Sequence, residues 1–213
     1  MRLFSALLLF ILPTLASAAS QSEVDLALSR FQAVMQNPTQ KAAASEAGAQ
    51  RIAFCQHCHG KDGNSLRDYI PNIAEQNPVY LFTAFEKFGT GERSDFVMSK
   101  LAKELSLDDR INIAVYYSTQ QVRTLGYQGA DMAQVEVGKT VYQTTCYACH
   151  GNDAKGQDDR PRLAGQPAEY MRRTLQLFKD DDPSRAGSLM GPIAKTLSTE
   201  KIEAVAAYLQ GLK

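Results

Sequence analysis

The chain predicts an all-α fold made of one small helical unit used twice in tandem. Three observations lead there. Apolar residues recur at helical spacing, no stretch alternates in the manner of a strand, and most of the sequence repeats itself once.

The elements follow in order. The opening "MRLFSALLLFILPTLASAAS" has one basic residue, Arg2, then an apolar run from Leu3 to Leu15, then Ala16-Ser17-Ala18. This is the layout of a secretory signal peptide, assigned to residues 1–18. A membrane span needs about 20 apolar residues, and Pro13 interrupts this shorter run. A retained N-terminal anchor is the rival reading. Residues 19–46 have no internal copy; Val24, Leu28, Phe31 and Met35 place one apolar face on a helix, read as a packing arm without chemistry. The first unit is assigned to 47–117, a linker containing Gly126 and Gly129 to 118–133, and the second unit to 134–213.

The repeat is long. "YIPNIAEQNPVYL" at 69–81 answers to "DRPRLAGQPAEYM" at 159–171, and "VMSKLAKELSLDDRINIAVYY" at 97–117 to "LMGPIAKTLSTEKIEAVAAYL" at 189–209. Pro71 therefore pairs with Pro161, Gln76 with Gln166, Tyr80 with Tyr170, Met98 with Met190 and Tyr116 with Tyr208. Units of about 85–90 residues fold alone but gain from a staple. The last helix carries Ile202, Val205, Ala206 and Leu209 on one face, with Ser198 as its cap; Ser106 and Asp109 make the matching start in the first unit. Further helices are expected through "PVYLFTAFEKF" and "AEYMRRTLQLF", and one ending at each cysteine motif.

Bulk composition restricts function. The 213 residues hold 23 basic and 23 acidic side chains, so no nucleic-acid partner is indicated. All four cysteines and all three histidines fall in two short motifs, "CQHCH" at 55–59 and "CYACH" at 146–150. Disulfides are the usual use of an even cysteine count in an exported chain, but they leave unexplained the histidine behind each pair. A redox dithiol expects a βαβ setting. Zinc needs four donors, and each motif has three. C-x-x-C-H is the attachment signature of c-type haem: thioethers from Cys55 and Cys58, and from Cys146 and Cys149, hold the porphyrin, and His59 and His150 face the iron. Two such motifs in register point to two covalent haems. Among the methionines only Met98 and Met190 align as a pair after the motifs, on segments expected to be loops, and they are the candidate second axial ligands. Core packing is the alternative use of each. Met171 repeats only as Leu81 and is read as core. His57 is read as a surface residue. Pro71 and Pro161 either orient the ligating histidines through their carbonyls or serve as turn prolines. Arg93 and Arg185 align and either pair with propionates or sit solvated.

These residues resemble the dihaem cytochrome c4 family. The similarity rests on "CQHCHG" and "CYACHG", "PNIAEQ" and "PRLAGQ", "MSKLAKELS" and "MGPIAKTLS", and the closing "AVYY" and "AAYL", covering nearly all of the chain from residue 48. It implies two tandem class I cytochrome c-like domains with haems close across their interface. It also implies a periplasmic electron carrier, not an enzyme, whose partners are redox proteins such as a membrane-bound terminal oxidase, with no small-molecule substrate. Two departures stand out: the arm at 19–46 is long for the family, and Glu75 stands where the repeat has Gly165. A left-handed backbone there costs an L residue about 1 kcal/mol. An electron-accepting subunit of a periplasmic dehydrogenase and a haem enzyme with one open iron are the alternatives.

Overall fold

The computed structural model describes the backbone of residues 16–124, 126, 127 and 129–213, with side chains from Val24 onward. The leader assigned to 1–18 lies outside these residues, apart from Ala16–Ala18 at the start of the first helix. Among the described residues all regular structure is helical. The first half contains α1 (Ala16–Gln36), α2 (Pro38–Arg51), α3 (Gln56–His59), α4 (Pro78–Thr90), α5 (Met98–Glu104) and α6 (Leu107–Ser118). The second contains α7 (Met132–Val141), a π turn (Tyr142–Cys146), α8 (Tyr147–His150), α9 (Ala168–Lys179), a 3-10 turn (Pro183–Arg185), α10 (Met190–Lys195) and α11 (Thr199–Gly211). Helix α2 spans position 47 and α7 spans position 134, so each half begins with a complete helix.

Local chemistry sets the helix ends. Asn37 accepts hydrogen bonds from Thr39 N and Gln40 N, both 3.1 Å, and Pro38 occupies the first helical position, where its missing N–H costs nothing. Ser106 and Ser198 cap α6 and α11 as their spacing predicts, accepting from Asp109 N and Lys201 N. Met98 and Met190 open short helices rather than lying on loops. The cause is local: Asp95 Oδ1 accepts from Met98 N at 2.9 Å and Ser188 Oγ from Met190 N at 3.2 Å, and each starts a turn.

The two halves repeat one packing. The entry helix crosses the last helix, α2 on α6 and α7 on α11. Glycine permits the crossing: a Cβ on Gly48 would lie 2.7 Å from the Asn112 carbonyl carbon, and one on Gly138 2.5 Å from that of Ala204. The first core gathers Phe82, Phe85, Phe88, Ile111, Val115 and Tyr117. The second gathers Tyr142, Met171, Leu175, Ile202, Val205 and Leu209. Each large apolar side chain contributes about 1.5–3 kcal/mol by leaving water. Met171 takes the core place expected of it.

Helix α1 belongs to the first half's packing. Its apolar face carries Ala27 and Phe31, both buried, and the Phe31 ring stacks on Phe82 at 4.7 Å with 4° between the planes. Arg30 pairs with Asp108 on α6.

The halves meet through the loops that follow the two cysteine motifs. Asn72 N donates to Gln166 Oε1 at 3.0 Å, and Gln166 Nε2 returns a bond to Asn72 O at 2.7 Å. The mirror pair joins Arg162 N to Gln76 Oε1 at 2.7 Å and Gln76 Nε2 to Arg162 O at 3.0 Å. The Arg162 guanidinium also bonds Glu75 at 3.2 Å. Glu75 does adopt φ 51°, against φ 74° at Gly165. The strained conformation is held by Glu75 N bonding Tyr117 O at 3.1 Å and by the pair with Arg162.

Candidate functional site

Each cysteine motif forms a short helical turn. Its histidine is the last helical residue, and the following glycine, Gly60 at φ 75° or Gly151 at φ 82°, turns the chain away. The loop then returns beneath the histidine. In the first half Gly63 O accepts from Ile73 N at 2.8 Å and Ala74 N at 3.1 Å; in the second Ala154 O accepts from Leu163 N at 2.7 Å and Ala164 N at 2.9 Å. This fixes the proline carbonyls. His59 Nδ1 lies 3.0 Å from Pro71 O, and His150 Nδ1 lies 3.0 Å from Pro161 O. A carbonyl only accepts, so Nδ1 carries the proton in both rings and Nε2 keeps its lone pair. Of the two uses open to Pro71 and Pro161, orientation of the histidine is the one their carbonyls take.

Burial pushes both imidazoles below their ordinary pKa, against the opposing pull of the proline carbonyls. Both rings are therefore neutral at pH 7, as a metal-ligating imidazole must be. All four cysteines are free thiols. Burial raises the Cys55 thiol and pushes Cys146 up to about 11. Among the described residues no group of three or more His, Cys, Asp and Glu is arranged to hold a metal ion. His57 is exposed, as expected.

Met98 and Met190 reach the same cores as the motifs. Met98 and Cys55 both pack against the first core, and Met190 and Cys146 against the second. Around them stand apolar side chains that a soluble domain normally covers. Phe54 is 76% exposed beside Cys55, Phe96 is 80% exposed near Met98, and Leu189 is 72% exposed before Met190. A flat apolar macrocycle held at the cysteines fits that lining.

A polar cluster at the junction of the halves supplies the second test of fit. Arg93 Nη1 donates to Tyr80 OH at 3.0 Å, and Tyr170 hydrogen-bonds the same guanidinium. Burial disfavours ionisation of Tyr170, yet the charges of Arg93 and Arg185 prevail and hold its hydroxyl below the usual phenol range. Burial, then the like charge of Arg93, lowers Arg185. Two half-buried guanidinium groups thus lie close together, and the buried Nε of each lacks a partner among the described residues. Anionic carboxylates are what such a pair accepts, and a haem carries two propionates. Both arginines are half-buried, with Nε closed to water.

The repeat points to Arg93 and Arg185 and aligns Gln76 with Gln166, but the role of these buried amides and of Asn72 is visible only across the interface. Their legible signal was the alignment of Gln76 with Gln166, a polar residue kept in both copies.

The comparisons agree with this geometry. The Cytochrome c family profile matches residues 135–213. The chain is similar to cytochrome c4 of Azotobacter vinelandii, 31% identical over 78% of this chain and 88% of that one. It is similar to a thiosulfate dehydrogenase electron acceptor of Thiomonas intermedia, 32% identical over 76% of this chain and 80% of that protein. The crystal structure of reduced recombinant cytochrome c4 from Pseudomonas stutzeri superposes with a TM-score of 0.72 at 32% identity, over 79% of this chain and 98% of that one. The fold is that of two class I cytochrome c units, and the cofactors are two covalently bound c-type haems. On this similarity and the repeated motif geometry, the chain belongs to the cytochrome c4 family, dihaem cytochromes that transfer electrons.

Proposed function

We propose that this protein is a periplasmic electron carrier with both irons fully ligated, passing electrons between respiratory redox proteins toward a terminal oxidase. Cys55 and Cys58 attach the first haem and Cys146 and Cys149 the second. His59 with Met98, and His150 with Met190, are the axial pairs. The observation that carries the reading is the matched hydrogen bond from each histidine Nδ1 to a proline carbonyl, 3.0 Å in both halves, which leaves each Nε2 as a donor. The haem supplies a reversible one-electron couple. The chain supplies the rest: neutral imidazoles held in one orientation, soft thioethers that favour the ferrous state, and arginines placed for propionates.

The carrier reading leaves no iron position for a substrate, so the chain has no turnover of its own. No described helix is long and apolar enough to cross a membrane. With the leader expected at 1–18, this supports export to the periplasm. A second reading, that the protein accepts electrons from a periplasmic dehydrogenase, is favoured by its likeness to the thiosulfate dehydrogenase electron acceptor of Thiomonas intermedia. Stopped-flow reduction by such a dehydrogenase, set against oxidation by respiratory membranes, ranks the two partners. Ligation is tested by Met98→Ala and Met190→Ala. Each is expected to open one iron to carbon monoxide while the wild type binds it poorly. Carbon monoxide binding by the wild type brings the enzyme reading forward.

A further inference from the structure

One peptide group in each half touches both a motif histidine and the opposite half. The peptide joining Pro71 to Asn72 accepts from His59 Nδ1 through its carbonyl, at 3.0 Å, and donates through its N–H to Gln166 Oε1, at 3.0 Å. The peptide joining Pro161 to Arg162 accepts from His150 Nδ1 at 3.0 Å and donates to Gln76 Oε1 at 2.7 Å. Each glutamine clamps its partner residue with a second bond, Gln166 Nε2 to Asn72 O at 2.7 Å and Gln76 Nε2 to Arg162 O at 3.0 Å. Asn72 Nδ2 adds a bond to Gly165 O at 2.8 Å. All four residues are nearly closed to water, with Gln76 at 4%, Gln166 at 2%, Asn72 at 6% and Arg162 at 2% exposure.

Amide resonance links the two ends of a peptide group. A donated N–H bond moves electron density toward the carbonyl oxygen and strengthens what that oxygen accepts, and low dielectric reinforces the effect. A stronger bond to Nδ1–H makes the imidazole a better donor through Nε2. We infer that Gln166 is a positioning residue for His59 and Gln76 for His150, so that each half tunes the iron ligand of the other through a single polarised peptide. A more basic imidazole favours ferric iron, so the glutamines lower the potential of the opposite haem. The interface thereby sets redox properties as well as holding the halves together. This inference rests on the assignment of His59 and His150 as iron ligands.

The test uses the full dihaem protein. Gln166→Met and Gln76→Met remove the accepting amide at similar side-chain length. Each haem potential is followed separately by spectroelectrochemistry with NMR assignment, and exchange of the ligand Nδ1–H with deuterium is timed. Gln166→Met is expected to raise the potential of the first haem, by up to about 59 mV for a tenfold change in its one-electron equilibrium. It is also expected to speed exchange at His59 while leaving the second haem in place. Gln76→Met does the reverse. Gln166→Glu, whose carboxylate accepts more strongly from the same N–H, is expected to move the first haem's potential downward. If Gln166→Met does not accumulate with both haems, the Gln76→Met and Gln166→Glu arms still decide the matter. Glu75→Gln breaks the neighbouring ion pair but spares the relay, and is expected to leave the haem-selective pattern absent. Shifts that fall on the variant residue's own half, that fall equally on both haems, or that Glu75→Gln reproduces overturn the relay. Hyperfine-shifted imidazole resonances of the wild type that do not belong to His59 and His150 overturn the ligand assignment instead.

Discussion

Gly138→Ala tests the helix crossing on which each half is built. The added methyl would stand 2.5 Å from the Ala204 carbonyl carbon and 2.9 Å from Tyr208 Cβ, and nearer still to the Ala204 carbonyl oxygen. Backbone cannot swing aside as a side-chain tip can, so α7 must separate from α11 by about 1 Å to restore a normal contact near 3.4 Å. That separation loosens Val141 from the core it shares with Ile202 and Val205. Overpacking of this kind costs about 1–3 kcal/mol, and more where backbone is struck. Alanine recovers about 1 kcal/mol through its higher helix propensity. With the cost at the upper end of that range, the net loss is about 1–2 kcal/mol, a fall of roughly 4–16 °C in Tm for a unit of this size. Gly89→Ala is the control, because its methyl meets nothing nearer than Ala102 O at 3.9 Å; it is expected to hold or raise Tm. The assay is thermal unfolding of the holoprotein by circular dichroism and haem absorbance. A Gly138→Ala protein as stable as wild type would refute the reasoning, and so would equal losses in both variants.

Other perturbations probe other contacts. Arg110→Met leaves the Glu86 carboxylate, whose side chain is 9% exposed, without its partner; a loss of about 3–5 kcal/mol is expected in denaturant melts, partly recovered in the double variant with Glu86→Gln. Phe31→Ala removes a fully buried ring stacked on Phe82; about 3–5 kcal/mol of the docking of α1 is lost, read as faster hydrogen exchange in α1 with unchanged haem spectra. Arg51 holds the Asp109 carboxyl below the usual range through a hydrogen bond at 2.8 Å. The folded pKa is depressed, so the stabilisation is complete above the unfolded value of about 3.9 and is lost as pH falls through the folded one. Asp109→Asn is therefore expected to flatten the acid limb of the stability curve and leave neutral-pH dependence unchanged.

The helices and both motifs were legible because their signals are local. Ser106 and Ser198 announce their helices by cap spacing, Ile202 to Leu209 by period, and the cysteine motifs by adjacency. Duplication brought out Met98 with Met190 and Arg93 with Arg185, because chance does not keep a pair in register. What stayed hidden depends on partners distant in sequence. Phe31 meets Phe82 through tertiary packing, so the face was readable and its seat was not. Glu75 was marked as a misfit against Gly165, while its counterpart Arg162, in the same loop of the other half, became visible only when the halves were placed together. The amide clamps of Gln76 and Gln166 span 86 and 94 positions in sequence. No periodicity encodes such pairs.

The central claim is that two motifs bind two haems whose irons are each closed by histidine and methionine. Ligation spectroscopy of the mature holoprotein, joined to mass measurement of its peptides, tests it most directly. The account predicts two added haems, one on the peptide holding Cys55 and Cys58 and one on that holding Cys146 and Cys149. It also predicts two low-spin irons in both oxidation states, each with histidine and methionine resonances assigned to His59, Met98, His150 and Met190. A disulfide at either cysteine pair, or a high-spin iron in the wild-type protein, would contradict it.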